Sequence, residues 1–303
     1  MRSHWCWVPL LVLLSLTPLF AQQAPPAAQD KPTVLPATKI NPKDGAEMVL
    51  IPAGEFLMGT SEEELAAWLK AHPDREREYY AHDMPQHKVD LDAYYMYTTE
   101  VTVAQYRKFC QATKRQMPPE PAWKWQDTHP IVNVSWEDAK AYAAWAGVLL
   151  PTEAQWEKAA RGGDRRVFPW GDAWPPPKGA GNFADQTMKA SGGVPGLTYI
   201  DGYTDGYVYT SPVGAFAANP YGIHDLAGNV WEWCADWYDG EYYQPAPQRN
   251  PTGPATGDAR VLRGGAWDST YPVVCRAAVR YWLTPGLRGL LFGFRCVLRS
   301  PGP

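Results

Sequence analysis

The chain has 303 residues, a formal net charge of −4 and a pI near 5.9, with no basic cluster of the kind that marks a nucleic-acid binder. Charged residues make up only 20%, against 15 Trp, 17 Tyr, 26 Gly and 30 Pro. This loop-rich, aromatic-rich globular composition excludes both a helical bundle and a disordered chain. The length allows one large domain or two small ones, and no second-domain boundary or internal repeat shows after residue 45.

At the N-terminus Arg2 and His4 precede an apolar run that begins at Trp5 and ends at Ala21, where Gln22-Gln23 turn the sequence polar. The run is short for a membrane span and its small-residue end suits cleavage. Residues 1–21 therefore read as a signal peptide, with an uncleaved anchor as the alternative. The protein is expected to be secreted or periplasmic, with no membrane contact beyond that signal. Residues 22–44, rich in Ala and Pro, read as a linker, residues 45–299 as the domain and 300–303 as a tail. Loss of Cys6 would leave Cys110, Cys234, Cys275 and Cys296 in an oxidising compartment, an even number open to three pairings.

Met48 to Gly59 predicts a strand, a turn and a second strand, and Val89 to Tyr97 alternates as a further strand. A short helix is expected over Thr60–Ala71, capped by Ser61 with Glu64 three residues on. Three more helices are marked by capping boxes at Thr102/Gln105, Ser135/Asp138 and Thr152/Gln155, with Gly147 and Gly162-Gly163 as stops. From Val167 onward short segments alternate with Gly, Pro, Asn and Asp. Such long irregular loops need a staple or carry a function. His82 and His87 lie five apart in a polar loop and read as solvated, and no nucleophile elbow, P-loop or zinc signature appears.

Eight segments in order carry a family likeness: Met48-Val-Leu-Ile-Pro-Ala-Gly-Glu-Phe56, Glu100-Val-Thr-Val-Ala-Gln-Tyr106, Pro130-Ile-Val-Asn-Val-Ser-Trp136, Leu150-Pro-Thr-Glu-Ala-Gln-Trp-Glu157, Phe168-Pro-Trp-Gly171, Gly228-Asn-Val-Trp-Glu-Trp233, Arg263-Gly-Gly265 and Gly293-Phe-Arg295. The chain resembles the formylglycine-generating enzyme, or sulfatase-modifying factor, family over nearly all of residues 48–298. The resemblance implies an α+β, loop-rich variant of the C-type lectin fold with low regular secondary structure and bound calcium.

Carried over by motif, one structural Ca2+ site falls on Asn182, Phe183, Asp205 and Tyr207. The other falls on Asp225, Gly228, Val230 and Glu232. Each would offer two side-chain oxygens and two backbone carbonyls, a donor set that suits calcium. The same Asp and Asn residues also make ordinary turns. Trp231 and Trp233 are expected in the core and the pocket wall.

Active members of the family oxidise a cysteine in a sulfatase peptide, using oxygen and Cu(I) held by two thiolates, which suit a soft ion. Their pattern is Gly-Gly-Ser-aromatic-x-Cys-x-x-x-x-Cys. Here Gly264-Gly265 are followed by Ala266 and Trp267, the first Cys position falls on Ser269, and Cys275 is displaced from the second. The resemblance therefore implies loss of the copper pair, leaving Cys275, Ser269 and Arg280 as the catalytic candidates and no bound copper. Arg295 is expected to be structural. Leu149 stands where many relatives have Arg. Residues 275–280 read as a strand, with Cys275 paired to Cys296; a Cys110–Cys234 bond or free thiols stay open. No His-rich domain of the related sulfoxide synthases accompanies the fold.

The expected function is that of a binding or accessory protein whose aromatic-lined cleft holds a peptide, glycan or protein ligand. The alternative is an oxidoreductase of the same family with an altered active site, either generating formylglycine or oxidising a siderophore chromophore.

Overall fold

The computed structural model describes residues 37–71, 76–243 and 249–300. The expected signal peptide and residues 22–36 of the expected linker lie outside the described residues. In chain order the elements are β1 (Thr38–Ile40), β2 (Glu47–Ile51), β3 (Gly54–Met58), α1 (Glu62–Ala71), a 3-10 helix (Arg77–Asp83), β4 (His87–Leu91), β5 (Tyr94–Tyr97), α2 (Val103–Thr113), α3 (Trp136–Ala146), α4 (Glu153–Arg161), α5 (Gln186–Ala190), β6 (Trp231–Trp237), β7 (Arg260–Arg263), α6 (Pro272–Cys275), β8 (Tyr281–Leu283), β9 (Phe292–Gly293) and β10 (Val297–Arg299). Among the described residues no helix is long and apolar enough to cross a membrane.

One four-stranded sheet runs β1-β2-β5-β10, all antiparallel, and a second runs β8-β7-β6-β9 with β9 parallel to β6. β3 and β4 form a separate two-stranded ladder. All four residues of β5 are buried, as expected of a central strand covered on both faces. Pairing of β10 with β5 brings the C-terminal segment against the N-terminal strands.

The capping boxes at Thr102, Ser135 and Thr152 form as the sequence predicts. Ser61 and Glu64 likewise exchange backbone and side-chain hydrogen bonds at 2.9 and 3.1 Å. Gly147 and Gly162 end their helices in the left-handed conformation.

Two sequence expectations fail in the first hundred residues. The single strand over 89–97 is broken into β4 and β5, which belong to different sheets. Arg249 grips Asp90 at 2.7 Å and Asp92 at 2.5 Å, while Asn250 accepts the Asp92 N–H at 2.9 Å. A distant segment thus pins the break. The linker also ends earlier than residue 44. β1 pairs with β2, and Asp44 is only 3% exposed, accepting the hydroxyls of Tyr97 at 2.7 Å and Tyr142 at 2.6 Å.

Candidate functional site

Between α4 and β6 the chain runs mostly as loops, with α5 as the one helix among the described residues there. Asp205 ties two of them together. Its Oδ2 accepts the Phe183 N–H and its Oδ1 the Tyr207 N–H, each at 2.8 Å, and its own N–H donates to Asp185 at 2.5 Å. Burial pushes the Asp205 carboxyl up to about 7, against the lowering effect of those two N–H groups. Asn182 donates its amide to the Tyr209 carbonyl at 2.7 Å and to Asn229 Oδ1 at 3.3 Å. Asn182 Oδ1 is buried without a hydrogen-bond partner among the described residues. The four residues of the first predicted set are therefore adjacent.

The second set starts at Asp225, whose φ is +58°. Its Oδ2 accepts the Gly214 N–H at 2.6 Å, while its Oδ1 is buried and unmatched among the described residues. Gly228 has φ +81°, and an added Cβ would stand 2.1 Å from the Asn182 carbonyl oxygen. Only glycine lets the two loops approach this closely. Asn229, at φ +57°, accepts the Ser211 N–H at 3.0 Å and donates to Glu100 at 3.1 Å. Glu232 has a different set of partners. Arg295 holds its carboxylate by two contacts of 2.7 Å, and Trp156 Nε1 donates to it at 2.8 Å. Burial, with the Asp225 charge beside it, pushes the Glu100 carboxyl well up, and burial raises Asp225 as well.

Among the described residues no three His, Cys, Asp or Glu side chains group as a metal cluster. What the loops offer is a mixture of amide and carboxylate oxygens next to backbone carbonyls, the kind of donor set a hard cation takes. Sequence reading missed Glu100, Asp185 and Asn229 in this network. The Gly-Asn dipeptide before Val230 was the available signal, because Asn tolerates positive φ.

The segment after Gly264-Gly265 is also built for rigidity. Ser269 accepts the Ala266 N–H and donates its own N–H to the Ala266 carbonyl, both at 2.9 Å, so its hydroxyl closes a turn. The strand expected over 275–280 does not form: residues 272–275 are α6, and 276–280 follow as turn and irregular chain. Cys275 is 1% exposed, sits among Phe168 and Phe183, and directs its thiol at the Tyr271 carbonyl at 3.6 Å. Burial pushes that thiol far above its ordinary value. The four described cysteines are free. Cys275, Cys296 and Cys234 lie in three separate apolar clusters, and Cys110 shares only that of Cys296. Neither expected pairing forms.

Arg280 does not face a cleft. It forks onto Glu153 at 2.7 and 2.9 Å and donates to the carbonyls of His82 and Asp239 at 3.0 and 3.1 Å. Tyr238 and Tyr243 flank its guanidinium at 4.8 and 4.4 Å. Arg263 completes this buried network, reaching Glu153 at 3.1 Å and Glu157 at 2.6 Å.

A profile of the sulfatase-modifying factor enzyme 1-like domain matches residues 35–300. The chain belongs to this sulfatase-modifying factor family. It is 33% identical to a formylglycine-generating enzyme of Streptomyces coelicolor over 309 aligned positions, covering 86% of this chain and 92% of that protein. To the formylglycine-generating enzyme of Thermomonospora curvata it is 45% identical over 174 positions, about half of each protein (55% of both). Among solved structures it is similar to PvdO from Pseudomonas aeruginosa, with a TM-score of 0.67 and 26% identity over 87% of this chain and 98% of that one.

Near Trp267 the surface is aromatic. Trp123 stacks on Tyr209 at 4.4 Å, and Trp267 meets them edge-on at 5.9 and 5.3 Å. Tyr209 is 38% exposed. Trp267 is fixed by its Nε1 donating to the Leu290 carbonyl at 3.1 Å. Trp233, buried as expected, donates to the Val134 carbonyl at 3.1 Å. His82 is exposed, as expected, and packs edge-on against Trp282 at 4.8 Å, while the half-buried His87 packs against Tyr243 at 4.5 Å.

Proposed function

We propose that this protein is an exported, calcium-stabilised member of the sulfatase-modifying factor family. Its aromatic surface at Trp123, Tyr209 and Trp267 binds a peptide, glycan or protein partner, and it does not carry out copper-dependent cysteine oxidation. The observation that carries this reading is the burial of Cys275. A Cu(I) site needs two accessible thiolates. Cys275 is the one cysteine between Gly264 and Gly293, it is 1% exposed, and its thiol is held protonated by burial. The residues present do not fit copper.

They do fit calcium in part. Asn182 Oδ1 and Asp225 Oδ1 are buried acceptors without partners among the described residues, and Asn182, Asp205 and Asp225 are the side chains that would hold the ions. Calcium there fixes loops that no ladder holds. Glu232 contributes chiefly by anchoring Arg295.

The deciding experiment incubates the purified protein with a Cys-x-Pro-x-Arg peptide, oxygen and copper, and follows the peptide by mass spectrometry. No aldehyde is expected. Turnover that disappears in Cys275→Ser would overturn the binding reading in favour of an oxidoreductase with an altered site. That second reading is favoured by the identity shared with the Streptomyces coelicolor formylglycine-generating enzyme.

A further inference from the structure

Trp123 and Tyr209 stand on different loops, so the aromatic surface exists only while those loops stay together. The loop after α2 carries Trp123 and runs on to Thr128 and His129, and a loop between α5 and β6 carries Tyr209, Thr210 and Val213. Trp123 stacks on Tyr209 at 4.4 Å, the Val213 N–H donates to the Thr128 carbonyl at 2.9 Å, and His129 Nδ1 lies 3.0 Å from Thr210 Oγ1. Of these three ties, the last alone involves a group that changes charge near neutral pH.

His129 is 6% exposed and Thr210 4%. The backbone of His129 is fixed: its N–H donates to the Gln126 carbonyl at 3.0 Å, and its carbonyl accepts the N–H of Val103, the first residue of α2, at 2.9 Å. With the backbone held, the ring reaches water only by leaving Thr210. Burial pushes the His129 imidazole below its ordinary value, and the Thr210 backbone opposes that in part.

The neighbouring acids are already engaged. On the same loop Asp127 is bound to Arg107 of α2 at 2.9 Å. On the approach to α2, Glu100 accepts the Asn229 amide at 3.1 Å, and burial pushes its carboxyl well up. On the facing loop the titratable side chains are Tyr207, Tyr209 and Asp205, whose carboxylate accepts the Phe183 and Tyr207 N–H groups. Among the described residues no charged side chain acts on the His129 ring. Once protonated, both ring nitrogens are donors, and the ring carries a charge into a buried seam with no carboxylate to receive it.

We infer that this seam is an acid-sensitive latch: neutral His129 holds the two loops together with Trp123 against Tyr209, and its protonation frees the ring from Thr210 and lets the loops part. The ring in the open seam has the ordinary histidine value of about 6.5, and in the closed seam a lower one. Closure is therefore favoured in full above about 6.5 and weakens as pH falls. The role in function rests on the binding surface proposed above: the latch sheds a bound partner in acid.

The test is hydrogen exchange of the full chain, corrected for its intrinsic pH dependence and read by mass spectrometry in the segments bearing Trp123 and Tyr209, from about pH 8 to about pH 5. Both segments lose protection in acid, by up to about tenfold per pH unit once the ring titrates. In the parent chain the loss shares its midpoint with the His129 ring titration followed by NMR. In His129→Gln, which stays neutral, the acid step disappears. A step that persists in His129→Gln would overturn the latch in favour of Asp205, whose carboxyl is pushed up to about 7 and which holds the Tyr207 N–H at 2.8 Å. A His129 ring that titrates while both segments stay protected would overturn it as well, whether or not the variant folds. The readout needs no bound partner, so failure of the latch leaves the binding reading standing, and failure of that reading leaves this result intact.

Discussion

Arg295 and Glu232 meet in a buried two-pronged contact, Nε to Oε2 and Nη2 to Oε1, both at 2.7 Å. Arg295 Nη2 also donates to the carbonyls of His224 and Asp225 at 2.9 and 3.3 Å. The Gly-Phe-Arg motif near the C-terminus is thereby locked onto the Asp225–Glu232 loop and the start of β6. Losing one partner leaves an uncompensated buried charge, so Arg295→Met is expected to cost about 3–5 kcal/mol in urea unfolding. A double change, Arg295→Met with Glu232→Gln, should cost less than the sum of the two single changes. Strict additivity would show that the pair does not act as a unit.

Gly228→Ala tests how closely the two loops approach. The added Cβ would meet the Asn182 carbonyl at 2.1 Å in a backbone with φ +81°. We expect destabilisation well above about 1 kcal/mol, read as a lower urea midpoint. A neutral substitution would show that the loops separate freely.

Chelation should lower the melting temperature, because an ion bound to the folded state alone stabilises by mass action. At free calcium about a hundredfold above the Kd the gain is about 2.7 kcal/mol. Asp225→Ala should abolish most of the calcium-dependent rise seen by calorimetry, and Asn182→Ala part of it. A melting temperature indifferent to both EGTA and calcium would remove the calcium reading and leave these residues as turn formers.

Asp236 sets an expected pH dependence. Burial, reinforced by the Glu153 charge, raises its carboxyl to about 8, even though it accepts the Glu153 N–H. The folded value lies above the unfolded one of about 3.9, so the folded state holds the proton more tightly. Its contribution is present in full below the unfolded value and is lost as pH rises through about 8. Asp236→Asn should therefore gain stability relative to the parent as pH rises from about 4 to about 8, measured by parallel thermal melts. Parallel curves would show that Asp236 is ionised in the folded protein.

Cys275 should resist iodoacetamide in the native protein and react on unfolding, since the thiolate is the nucleophile and burial suppresses it. Rapid native alkylation at Cys275, located by peptide mapping, would reopen the case for a catalytic thiol.

Local chemistry was legible where neighbours in sequence settle it. The capping boxes at Thr102, Ser135 and Thr152 need only residues three apart. Asn182, Phe183, Asp205 and Tyr207 were recognisable by motif and are adjacent in space. The break between β4 and β5 was hidden, because Arg249 and Asn250, more than 150 positions away, hold Asp90 and Asp92. The fate of Arg280 was hidden for the same reason: its partner Glu153 is 127 positions distant.

The sequence by itself determined the family, the capped starts of α2, α3 and α4 and the glycine stops that end α3 and α4, because these rest on short-range sterics and hydrogen bonding within a few residues. Only the tertiary structure decided which charges are consumed. Glu153, Glu157 and Glu232 are taken by Arg263, Arg280 and Arg295, and Asp83 by Arg276. A buried ion needs its partner within a few ångströms, and that partner is supplied by folding, from parts of the chain that no local pattern connects.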